Sequence, residues 1–83
     1  MSVTVRYFAG ARAAAGVASE AVTLPDNGTV ADVLTLVESR HGAELRKVLA
    51  ASSLLLDEVA VRDRSLHLRP GAVLDILPPF AGG

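Results

Sequence analysis

The stretch "SEAVTLPDNGTVADVLTLVESRHG", residues 19–42, changes its period partway, and that change decides the fold. From Ser19 to Leu24 the side chains alternate in character, the period of a strand, and Pro25 ends it. "PDNG" at 25–28 is turn chemistry. Thr29 then precedes Asp32 by three positions, the spacing of a capping box with an acid as the reciprocal group. Val30, Val33, Leu34 and Val37 recur at i, i+3, i+4 and i+7, one apolar stripe of a helix. The spacing predicts a main helix over about 30–41, with Glu38 and Arg40 on the wet side and Gly42 as its stop.

On the N-terminal side, "VTVRYF" at 3–8 alternates cleanly. Val3, Val5 and Tyr7 share one face of the predicted strand; Thr4, Arg6 and Phe8 share the other. "ARAAA" at 11–15 reads as a helical turn or two, closed by Gly16. The strand at 19–24 follows closely enough to pair with the first as a hairpin partner. On the C-terminal side, "AELRKVLA" predicts a shorter helix with Leu45, Val48 and Leu49 inward. "SLLLDEVAVR" predicts two strands around a tight turn at Asp57-Glu58, weaker than Asp-Gly because Glu58 resists positive φ. Pro70-Gly71 suits a type II turn. A last strand over about 73–77 puts Leu74 and Ile76 on one face and Asp75 on the other.

The order is strand, strand, helix, strand, strand, strand, with small helical turns between. Helices on one face of a mixed sheet are the α+β solution for such an order. A second strand that leads through a helix back to the sheet is the connection of the β-grasp, ubiquitin-like fold. The expectation is therefore a mixed sheet of about five strands with a main helix and short helices on one face. It forms a single domain over 1–83, with an extended tail at 78–83.

Composition narrows the function classes. The chain has 83 residues, 51% hydrophobic and 20% charged, which suits a globular domain. Its net charge of −1 argues against a nucleic-acid binder with a large basic face. No apolar run approaches a membrane span, and "MSVTVRYF" lacks the pattern of a signal peptide, so a cytoplasmic protein is expected. Cysteine is absent, which removes disulfides, thiolate metal sites and a cysteine nucleophile. His41 and His67 are far apart and read as surface or cap histidines; no metal is expected. "GARAAAG" has neither nucleotide-binding glycine pattern, so no bound cofactor is expected.

The chemistry lies in "LPPFAGG" at 77–83. Pro78 and Pro79 have no N–H, so a strand cannot pair on through them, and their fixed φ makes the exit stiff. Extended, Phe80 to Gly83 reach about 13 Å further. Ala81 and Gly82 carry almost no side chain and could thread a narrow channel to present Gly83. A terminal carboxylate is inert until ATP converts it to an acyl-adenylate; sulfide would then give a thiocarboxylate, and a lysine amine an isopeptide. Phe80 is badly placed for the core and reads as an anchor on a partner. Arg6 and Phe8 would form a docking surface if their face is left open. Arg62, Arg64 and Arg69 read as a solvated face paired with Asp63 and similar acids, or alternatively as a patch that orients partners.

"VTVRYFAGARAAAG" and "LRPGAVLDILPPFAGG" together resemble the small subunits of molybdopterin synthase, a family of ubiquitin-like sulfur carriers. The likeness covers the whole chain in length and element order, and its specific part is the Pro-Pro, Gly-Gly ending. It departs at Asp57-Glu58, where relatives often place a glycine, and at "RPGAV", where they often have Gly-Asp. The resemblance implies a mechanism. An adenylating enzyme of the ubiquitin-activating type uses ATP and Mg to join AMP to Gly83. A sulfur donor enzyme then yields the Gly83 thiocarboxylate. The large synthase subunit, in a heterotetramer, accepts the tail, and sulfur passes to cyclic pyranopterin monophosphate. Catalytic acids and bases would belong to the large subunit. Other readings share the terminal chemistry: a carrier for thiazole, cysteine or tRNA thiolation, or a protein modifier, for which Lys47 offers the only lysine linkage.

Overall fold

Alternation in the strands becomes a sheet with one dry face and one wet face, and helices cover the dry one. The structure, a computed structural model, describes residues 1–79. In chain order the elements are β1 (Ser2–Tyr7), α1 (Ala9–Ala15), β2 (Ser19–Thr23), α2 (Val30–His41), α3 (Ala43–Ala51), β3 (Ser53–Leu56), β4 (Val59–Ala60) and β5 (Val73–Leu77). The five strands form one sheet in the order β2-β1-β5-β3-β4. β1 pairs antiparallel with β2 and parallel with β5, while β3 pairs antiparallel with β5 and β4. This is the mixed-sheet β-grasp arrangement expected from the element order.

Val3, Val5 and Tyr7 are buried on the helix side with Val22, Leu74 and Ile76. All four stripe residues of α2, Val30, Val33, Leu34 and Val37, are buried against them, and so are Leu45 and Leu49 of α3. Each such side chain contributes about 1.5–3 kcal/mol by leaving water. Val48 is half-buried at the margin. The Thr29 cap is present in full: Asp32 N–H donates to Thr29 Oγ1 at 3.3 Å, and Thr29 N–H donates to Asp32 Oδ2 at 2.9 Å. The following segment completes this helix start. Val30 N–H donates to the Leu66 carbonyl and Ala31 N–H to that of Arg64, at 3.1 and 2.9 Å.

Turns behave as their residues demand. Gly71 takes φ 80°, the left-handed position of a type II turn that a side chain would strain. At the β3–β4 hairpin the chain does what Glu58 resists: Asp57 and Glu58 both adopt positive φ, 47° and 71°. A two-residue hairpin between right-twisted strands selects that geometry. Asp57 is held there from both ends. Its N–H donates to the Val73 carbonyl, and its Oδ1 accepts from Val73 N–H, each at 2.9 Å.

His41, read as a surface or cap histidine, lies in the last turn of α2 and also joins a cluster of side chains. It is half-buried at the end of α2, where its Nε2 meets Glu20 Oε2 at 2.5 Å and its ring packs edge-on against Tyr7 at 5.9 Å. Tyr7 Oη donates to the same Glu20 oxygen at 2.5 Å, and Arg40 Nη1 donates to Glu20 Oε1 at 2.9 Å. Burial, then the bond to Glu20, pushes the Tyr7 phenol well above its ordinary value. Burial alone would raise the Glu20 carboxyl too. The bonds from Tyr7, His41 and Arg40 outweigh it and hold the carboxyl below the usual glutamate value.

Two outcomes are expected. The Glu20 pKa is lower folded than unfolded, so its stabilisation is complete above the unfolded value near 4.3 and is lost as pH falls through the folded value. Glu20→Gln should cost about 1–3 kcal/mol at neutral pH and flatten the loss of stability below about pH 4.5. Thermal melts of both proteins across the acid range decide it; parallel acid limbs would assign the acid sensitivity elsewhere. Glu58→Gly should stabilise by about 0.5–1 kcal/mol, since the left-handed cost to a side chain exceeds the backbone freedom glycine adds to the unfolded chain. Urea midpoints measure it.

Candidate functional site

The chain leaves the sheet from its middle. β5 lies between β1 and β3, and its last residue, Leu77, pairs with Ser53. The neighbouring Ile76 carbonyl accepts the Phe8 N–H at 3.2 Å, which ties the start of α1 to the exit. Pro78 is half-buried and Pro79 exposed. β1 ends opposite Ile76 and β3 begins opposite Leu77, and with no N–H on either proline the ladder cannot be carried further. Phe80, Ala81, Gly82 and Gly83 lie outside the described residues, so the anchor, threading and acyl roles expected of them lie there too.

Helices cover the Val3, Val5 and Tyr7 face, so Arg6 and Phe8 lie on the open one. Phe8 is extended (φ −120°, ψ 150°) although β1 ends at Tyr7, and its ring is 39% exposed. Arg6 is not a free charge. Its Nε and Nη2 reach Asp75 Oδ1 and Oδ2 at 2.6 and 2.7 Å, a two-point pair across the parallel β1–β5 ladder. The hydrogen bond to Asp75 raises the already high Arg6 pKa further. Asp75 is only 5% exposed although it faces the open side. The Arg6 guanidinium also lies 5.7 Å from the Phe8 ring centre, a cation–π distance. Beside the pair is a shallow cavity of about 360 Å³, lined by Arg6, Asp57, Glu58, Val73 and Asp75.

The Arg6 charge on this surface is paired in place by Asp75, and Phe8 joins it to the end of β5. Among the described residues no cluster of three His, Cys, Asp or Glu side chains could hold a metal ion. Asp75 was the residue that the sequence understated. An acid inside the apolar run "VLDIL" is the available signal, but its partner is 69 positions away and emerges only from the register. The pairing expected of the arginines is also different. Asp63 accepts from the N–H and hydroxyl of Ser65, at 2.9 and 2.7 Å, because a local turn competes successfully for its carboxylate. The bond from the Ser65 hydroxyl lowers the Asp63 pKa.

Comparison with known proteins agrees with this geometry. The ThiS family model matches residues 5–83. A molybdopterin synthase sulfur carrier subunit from Chlamydomonas reinhardtii is 32% identical over the whole of both chains. The protein of the same description from Homo sapiens is 30% identical over 98% of this chain and 93% of its own. Among solved structures, a putative molybdopterin converting factor subunit 1 from Pyrococcus furiosus superposes with a TM-score of 0.85 at 26% identity, covering 95% of this chain and 98% of the other. A chain from the complex of subunits 1 and 2 of the molybdopterin-converting factor of Helicobacter pylori has the same fold, with a TM-score of 0.75 at 19% identity and full coverage of both.

Removing Arg6 alone would leave the Asp75 carboxylate buried without its partner. Arg6→Val should therefore destabilise by about 1–3 kcal/mol. Arg6→Val combined with Asp75→Val should recover most of that loss, because no uncompensated charge remains. Urea denaturation of the two variants gives the comparison; equal losses would show that the pair acts through packing alone.

Proposed function

Because the chain belongs to the ThiS family, we propose that it serves as the sulfur-donating small subunit of a molybdopterin synthase. The observation that carries this reading is its end-to-end similarity to two sulfur carrier subunits of that description. Supporting it is the geometry of the exit: a central strand that stops at two prolines gives a reactive tail a fixed starting point and direction.

In this function Gly83 carries the acyl group. An adenylating enzyme similar to the ubiquitin-activating type uses ATP and Mg to attach AMP to the Gly83 carboxylate, with pyrophosphate leaving. A sulfur donor enzyme supplies sulfur at the sulfide level, AMP leaves, and a Gly83 thiocarboxylate remains. The tail then enters the large synthase subunit. Ala81 and Gly82 pass through the narrow part of its channel, and Phe80 seats in a pocket at the mouth. Burying that ring offsets part of the roughly 1–2 kcal/mol per residue that ordering the tail costs. Sulfur passes to cyclic pyranopterin monophosphate, and two carriers are consumed for each molybdopterin. The Arg6–Phe8 surface and the stiff Pro78-Pro79 exit bear against the large subunit, in a heterotetramer. A solved complex of subunits 1 and 2 in the Helicobacter pylori relative supports a large-subunit partner. No helix among the described residues is long and apolar enough to cross a membrane, and the reaction belongs in the cytoplasm with its ATP-using partner.

The test uses a chemically prepared Gly83 thiocarboxylate mixed with cyclic pyranopterin monophosphate and the cognate large subunit. Molybdopterin should form with two carriers spent per product. A chain lacking Gly82 and Gly83 should give none while its stability changes by less than about 0.5 kcal/mol. Sulfur delivered instead to a thiazole- or cysteine-forming enzyme would assign the carrier to that chemistry.

A further inference from the structure

Two arginines do not find the acids expected of them. Arg6 and Arg40 are paired, with Asp75 and Glu20. Among the described residues no carboxylate forms an ion pair with Arg62 or Arg64. Asp63, between them in the chain, is occupied by the N–H and hydroxyl of Ser65. Both arginines instead line a groove of about 370 Å³ that also includes Ser53 and the half-buried Leu55 and Val61. No acid is among its lining residues, so the groove carries two positive charges on a chain whose net charge is −1.

The groove adjoins the exit of the tail. Ser53, in its lining, pairs with Leu77, the last residue of β5, so the groove begins one strand away from the point at which the chain leaves the sheet. A protein that receives the tail is thereby brought up against it. A tail threaded into a channel fixes the position of the partner along the tail, but leaves rotation about the tail open. A charged contact to one side of the exit removes that freedom. We propose that the Arg62–Arg64 groove docks an acidic segment of the protein that receives the tail. Its carboxylates meet the two guanidiniums, whose planar forks match a carboxylate at two points, and an apolar side chain beside them packs on Leu55 and Val61.

This contact rests on the reading that the tail enters a large synthase subunit, and it belongs to that same partner. Arg62 and Arg64 are both exposed. Charges so placed steer and orient an encounter, and salt screens them.

Calorimetric titration of the full chain with the cognate large subunit, at about 50 mM and about 500 mM salt, tests it. Arg62→Glu and Arg64→Glu should each weaken binding by about fivefold at the lower salt and by less than about twofold at the higher. Arg69→Glu changes the net charge equally but lies at the other end of the sheet, in the turn whose Gly71 N–H donates to the Ser2 carbonyl. It should change the affinity by less than about twofold. All three side chains are exposed, so thermal melts should confirm that each variant remains folded. A complex indifferent to the groove reversals, equally sensitive to Arg69→Glu, or weakened to an extent that salt leaves unchanged overturns the proposal and leaves the sulfur-carrier reading standing. Tighter binding on reversal also overturns it, and would assign the groove to the Gly83 carboxylate of this chain. No complex with the parent chain overturns the reading on which the contact rests, and the contact with it.

Discussion

The parallel pairing of β1 with β5, from Thr4 opposite Val73 to Tyr7 opposite Ile76, is the constraint on which the rest of this structure depends. It brings together segments some seventy residues apart, so its closure entropy is among the largest in the fold. In return it makes the final strand the middle of the sheet, flanked on both sides and buried on its helix-facing side. Everything between has to fit inside that closure: α2 crosses the dry face, α3 returns the chain, and the β3–β4 hairpin fills the remaining edge. Arg6 and Asp75 mark the same closure on the wet face. Their two-point pair forms only when the register is correct, and a slip by one residue would carry Asp75 into the core.

Local rules explain why so much of the fold could be read from the chain. The Val30, Val33, Leu34, Val37 stripe, the Thr29–Asp32 box and the Gly42 stop are contained within thirteen or so residues, and each needs only its neighbours to act. The alternation of Val3, Val5 and Tyr7 divides β1 into two faces, but it does not say which of them the helices cover. That follows only when Leu74 and Ile76 arrive beside it. The Glu20 cluster was illegible for the same reason. A glutamate in a short strand, a tyrosine at the end of another and a histidine at a helix terminus are unremarkable apart. Folding places one carboxylate among three donors.

The Asp57-Glu58 turn shows tertiary context overruling local preference. Neither residue favours positive φ, yet both adopt it, because the hairpin must close in two residues and Val73 offers Asp57 a donor and an acceptor together. At the site, the sequence supplied the residue types of the exit and one partner of the ion pair. The sheet supplied the proximity: Phe8 reaches the exit through a hydrogen bond to Ile76, a contact no spacing in the sequence encodes.

A central strand made late also has a consequence for biosynthesis. The ribosome releases this chain from its N-terminus, and β1, β2 and the helices emerge with a gap in the sheet where β5 belongs. Until residue 77 is free, β1 has one unpaired flank and β3 another, and the dry face lacks Leu74 and Ile76. Completion of the sheet thereby waits until β5 has emerged. A product cut before β5 lacks Leu74 and Ile76 and so has no complete core, which ties a folded domain to the presence of the strand that leads into the Pro78-Pro79 exit.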